Sequence, residues 1–175
     1  MKQIQERPNQ DEYTEYYGKY IQLVPAGDLL DILRRQEQET LQVFTSLSEE
    51  QSLYRYAPDK WSLKEILGHL LDNERVMIYR LVRISRKDAS TLSGFDQDLF
   101  VQESGFDSVP LELLLEDYRA VRASTLTLLR TLDAERLQRQ GVANNNKLSV
   151  LALACIVAGH ERHHLNVMGE RYRQA

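Results

Sequence analysis

The chain has 175 residues, 42% of them hydrophobic and 27% charged, a balance that excludes a disordered protein and suits one folded domain. Asp and Glu outnumber Lys and Arg by 26 to 22, a net charge of −4 that lacks the basic surplus of a generic nucleic-acid binder. Cys155 is the single cysteine, which excludes an intrachain disulfide, and no apolar run reaches the roughly 18 residues of a membrane span.

The opening stretch MKQIQERPNQDEY has no apolar signal region, so the expected location is cytoplasmic, with a small-molecule substrate and neither nucleic acid nor membrane as partner. Residues 1–27 are expected to form a tyrosine-rich segment (Tyr13, Tyr16, Tyr17, Tyr20), irregular and packed across the domain of residues 28–175. A first helix is predicted from about Asp28, its N-cap, to about Leu47, with Leu30, Leu33, Phe44 and Leu47 on one face. Ser62-Leu63-Lys64-Glu65 is a capping box that opens a second helix, which runs through Ile66, Leu70, Met77 and Leu81 to about Arg86. The loop that follows, from Lys87 to about Asp107, is long for a bundle and is either a substrate cover or a packed surface loop.

A third helix begins near Pro110, which is tolerated in a first turn, and shows Leu111, Leu114, Tyr118, Val121, Thr125, Leu128 and Leu132 on its inner face. Gly141 and Asn144-Asn145-Asn146 are turn chemistry. The last helix runs from about Leu148 to Arg171. No segment alternates with a period of two, so the expected fold is all-α, a four-helix bundle without strands.

Three of the four histidines lie within five residues. At 100° per residue, His160 and His164 continue the inward stripe of Val150, Leu153 and Val157, whereas His163 falls about 60° off it and Cys155 points well away. Such an i, i+4 pair either shares a metal ion or forms a hydrogen-bonded pair of core histidines, and the pattern alone favours neither. His69 sits toward the margin of the second helix's apolar face. Gly68-His69 and Gly159-His160 each place a helix-weakening glycine beside a histidine, which suggests space kept for something.

His160-Glu161-Arg162-His163-His164 is also a literal H-E-x-x-H, the zinc-peptidase pattern in which the glutamate is the general base. Eleven residues follow it, with no downstream ligand and no strand to hold an extended peptide. Glu161 is therefore expected to be an exposed surface glutamate, with a role as base or as support for a ligand kept as the other reading.

Four segments resemble the DinB/YfiT-like family: YYGKYIQLVPAGDLL, APDKWSLKEILGHLLDNE, GFDQDLF and LSVLALACIVAGHERHHLNVMGERY, spread from about Tyr16 to Tyr172. The resemblance implies a four-helix bundle of unusual connectivity with one divalent metal ion, zinc or nickel, on His69, His160 and His164, and a homodimer. It also implies either a transferase that uses a low-molecular-weight thiol, such as bacillithiol or mycothiol, or a hydrolase. Thiol transfer is the leading expectation, since no Ser-His-Asp or Cys-His arrangement supplies a protein nucleophile. Metal-assisted hydrolysis is the alternative, with Glu161, Asp72 or Asp96 managing the proton, or with Asp72 orienting His69 instead. A non-catalytic metal-binding bundle is the third.

Overall fold

The structure is a computed structural model that describes residues 3–172. Four long helices build it: α2 (Leu29–Thr45), α4 (Leu63–Ser85), α6 (Leu111–Thr131) and α8 (Val150–Arg171). α2 and α4 start at the expected caps, whereas α8 starts at Val150, two residues after the expected Leu148. The Asp28 carboxylate accepts from the Leu30 amide, Ser62 and Glu65 close their capping box, and the Ser149 hydroxyl accepts from the Ala152 amide. Pro110 caps α6 from just outside its first turn.

Around the bundle the helices run α2, α6, α4, α8, so α2 and α4 face each other across a diagonal, as do α6 and α8. Diagonal partners need long connections. The first carries the short helix α3 (Glu49–Ser52), and the second carries α7 (Ala134–Gln138) and a β-hairpin. This hairpin corrects the expectation of no strands. Strands β1 (Gln140–Ala143) and β2 (Asn146–Ser149) pair antiparallel across Asn144-Asn145, both at positive φ as a two-residue hairpin turn requires.

Two other expectations are corrected. The N-terminal segment is not irregular: Glu15–Ile21 forms helix α1, which packs along α8. The 87–107 loop carries α5 (Gln97–Ser104), capped by Asp96, whose carboxylate accepts from the Asp98 and Leu99 amides. Its two ends are pinned, by Leu92 exchanging backbone hydrogen bonds with Val142 and Asn144, and by Asp107 accepting from Ser62 and Arg55.

The core divides into two apolar clusters along the bundle. One gathers Leu33, Leu81, Leu129 and residues 150–158, and the other Phe44, Leu67, Leu71, Leu114, Leu165 and Met168. Between them lies a buried polar layer that includes Thr40, Glu74, Arg122, His69, His160 and Glu161. No helix among the described residues is long and apolar enough to cross a membrane.

Candidate metal centre

The histidines occupy one half of the polar layer. His69 on α4 and His160 on α8 are buried and His164 is partly buried, although 91 residues separate the first two. The Nε2 atoms of His69 and His160 are 3.0 Å apart, and those of His160 and His164 are 3.2 Å apart. A tetrahedral ion with zinc–nitrogen bonds of about 2.05 Å has nitrogen–nitrogen edges of about 3.3 Å, so the three side chains present a donor set of metal-binding size. His69, His160 and His164 form the one such group among the described residues.

Their electrostatics suit the same purpose. Burial, reinforced by the neighbouring imidazoles, pulls His69 down to about 4 and His164 down to about 3, and holds His160 well below the ordinary histidine value. All three rings are therefore neutral at pH 7, the form that offers a lone pair. The Trp61 ring lies 4.7 Å from that of His69 and stacks at 6.3 Å on that of His164, while Tyr20 meets His160 edge-on at 5.2 Å. His163 lies outside the trio, as the wheel places it, and packs against Tyr20 at 5.6 Å.

The space kept by the glycines is taken by the protein itself. A Cβ on Gly159 would stand 1.9 Å from the Tyr20 carbonyl oxygen, and one on Gly68 2.3 Å from the Phe106 ring. They let α1 and the end of the α5 segment press against the histidine helices.

Glu161 also departs from expectation, being 2% exposed. It points into the other half of the polar layer, where Arg122 donates to its Oε2 at 2.7 Å, and Thr40, at 2.7 Å, and Tyr118 donate to its Oε1. Arg122 also holds Glu74 at 2.8 Å and the Leu33 carbonyl at 3.0 Å. A helix enclosed on every side has no face for an exposed glutamate, and each oxygen of this one is already bound within the protein. Asp72 is half-buried, which raises its pKa; its nearest cation is Arg75 at 3.8 Å, and it makes no hydrogen bond to His69.

Two clefts reach the histidines. One, of about 630 Å³, is bounded by His160, Tyr20, Asn73, Arg80, Phe95 and Asn144. The other, of about 460 Å³, is bounded by His164, His163, Trp61, Lys60 and Tyr172. Asp96 and Gln97 lie in the first and Asp98 in the second, so the start of α5 stands between them. Sequence reasoning passed over Trp61, Asn73 and Arg80. The available signal was the face of α4, where His69, Asn73, Met77 and Arg80 recur at helical spacing.

The family model of the DinB superfamily matches residues 32–168, most of the chain. The chain belongs to the DinB superfamily. A protein of Oceanobacillus iheyensis, provisionally named a metal-dependent hydrolase, is 25% identical over 121 residues, 69% of each chain. The solved structure of YfiT from Bacillus subtilis, described as a probable metal-dependent hydrolase with an unusual four-helix bundle topology, aligns with a TM-score of 0.72 at 16% identity. That alignment covers 97% of this chain and 93% of YfiT.

Proposed function

We propose that this DinB superfamily member is a metal-dependent transferase that joins a low-molecular-weight thiol to a small electrophile, with one divalent ion held by His69, His160 and His164. The observation that carries the reading is the pair of clefts converging on one set of imidazole nitrogens. Hydrolysis needs one organic substrate and water, whereas group transfer needs two organic molecules with access to one centre. When bound to three imidazoles, a divalent ion keeps open positions and lowers the pKa of a coordinated thiol.

The protein's own groups then orient and exclude. Trp61 and Tyr20 shield the imidazoles from bulk water, and the start of α5 keeps the two molecules on separate paths. No protein nucleophile is needed. Cys155, the single thiol, is buried and pushed up to about 12 by that burial.

Metal-assisted hydrolysis is the second reading, favoured by the descriptions given to the two similar proteins. Against Glu161 as its base stands the binding of both its oxygens by Arg122, Thr40 and Tyr118; Asp96 and Asp98, at the start of α5, are the carboxylates that border the two clefts.

The test is elemental analysis of the purified protein beside a His160→Ala, His164→Ala double variant. One divalent ion per chain, lost in the variant, is expected. The loaded protein is then assayed on chloronitroarenes with and without a low-molecular-weight thiol, and on nitrophenyl esters without thiol. Thiol-dependent turnover supports transfer, and thiol-independent ester cleavage supports hydrolysis. Absence of metal from the wild type, with none taken up from added zinc or nickel, overturns both.

A further inference from the structure

The larger cleft contains a charge that the fold leaves unbalanced. Arg80 is 2% exposed, yet among the described residues no carboxylate forms an ion pair with its guanidinium. One terminal nitrogen donates to the Ser93 carbonyl at 2.8 Å and the other to the Met77 sulfur at 3.7 Å, the neutral Tyr17 hydroxyl hydrogen-bonds with the guanidinium, and the Phe95 ring sits 6.0 Å away. Arg122, equally buried, shows what the fold does when a guanidinium is structural, since two carboxylates and a carbonyl surround it. A buried cation without a counter-ion is costly, and arginine cannot shed its proton to escape the cost.

Arg80 borders the cleft together with Asn73, Asn144 and the hydroxyl-bearing Tyr16, Tyr17 and Tyr20. Asp96, the acidic residue on the same wall, is exposed, forms no ion pair with Arg80, and accepts at Oδ1 from the Asp98 and Leu99 amides of α5. Arg80 shares a face of α4 with His69 eleven residues earlier, roughly 16 Å along the axis, and side chains on a helix lean toward its N-terminus. Both side chains lean the same way, so a ligand with one end at Arg80 needs a length on the order of 15 Å to bring its other end to the imidazoles.

We propose that this cleft binds an elongated small organic anion, whose carboxylate or phosphate group pairs with the Arg80 guanidinium while its far end reaches His160. The planar fork of arginine matches either group bidentately. Asn73 and Asn144 add neutral amides along the path, and the tyrosines form a wall suited to a slender, partly apolar chain. Only the role of the far end rests on the proposed transferase reading, because the anion seat stands on Arg80 and its surroundings.

The test is calorimetric titration of the purified protein, of recorded metal content, with adipate, inorganic phosphate and the neutral 1,6-hexanediol. Adipate or phosphate is expected to bind at least tenfold more tightly than the diol, and which of the two binds better distinguishes a carboxylate from a phosphate ligand. Arg80→Gln is expected to abolish the difference, and Arg80→Lys to retain part of it. If Arg80→Gln does not fold by circular dichroism, the wild-type comparison of anion with diol still decides. Equal affinity for diol and anions, or no binding of either anion, overturns the proposal. So does a folded Arg80→Gln variant with wild-type anion affinity. A protein that binds the anion through Arg80 but takes up no metal would refute the transferase reading and leave the anion seat intact.

Discussion

Replacing Glu161 separates a structural glutamate from a catalytic one. In Glu161→Ala the Arg122 guanidinium loses one of its two carboxylates, and the hydroxyls of Thr40 and Tyr118 lose their common acceptor, all within a buried layer. Breaking a buried ion pair from one side costs about 3–5 kcal/mol. Glu74 remains on Arg122, which places the expected loss toward the lower end of that range. For a chain of this size each kcal/mol moves the melting temperature by about 2–4 °C, so a drop of roughly 10 °C is expected. Thermal and urea unfolding would measure it, alongside the metal content of the folded protein. The metal should stay, because none of the three imidazoles is a hydrogen-bond partner of this carboxylate. The reasoning is refuted if Glu161→Gln keeps wild-type stability and metal content yet loses turnover, for then the carboxylate acts as a base.

Three further outcomes follow from residues around the site. Gly159→Ala should destabilise by about 1–3 kcal/mol despite its better helix propensity, because its methyl would meet the Tyr20 backbone, whereas Gly68→Ala meets a ring that can shift. Equal melting temperatures for the two variants would contradict this. Metal-free protein should lose stability as pH falls from about 6.5. Below that value the unfolded chain takes up histidine protons that His69, held down to about 4, and His164, held down to about 3, refuse when folded. Urea midpoints from pH 7.5 to 4.5 would show the decline, and a flat profile would refute it. Cys155 should resist thiol reagents at pH 8 in the native protein and react fully in denaturant, since burial pushes it up to about 12. Rapid native labelling would count against that placement.

The four long helices were legible from their apolar spacing, and two of them from their caps as well: Asp28 and Ser62 each act on the helix they precede, whereas the Ser149 cap of α8 went unread. The inward stripe of α8 likewise placed His160 and His164 together and His163 apart. The hairpin was not legible as strands, because four-residue strands are too short for alternation to show, although paired asparagines at positive φ are themselves a hairpin signal. Helix α5 escaped notice because its apolar pattern is weak. Val101 is its one buried residue, and Leu99 and Phe100 are exposed. Asp96 before it and Gly105 after it were the readable start and stop. The burial of Glu161 was hidden for a different reason, since a wheel describes one helix and this carboxylate is explained by another. Arg122, one turn after Tyr118 on the inner face of α6, was the sign that the core holds charge.

The diagonal connectivity has a consequence for biosynthesis. Helix α8 touches α1, α2, α4, α7 and β2, and every residue from Val150 to Glu161 is buried. Before it is made, the ring of helices lacks the member that joins α2 to α4. Translation reaches the end of α8 forty residues after the end of α6, an interval of roughly 2–8 s at 5–20 residues per second. For those seconds the nascent chain displays the leucine faces of three helices with no central partner. Soluble yield should therefore depend on chaperone capacity and on the speed of the final stretch of translation.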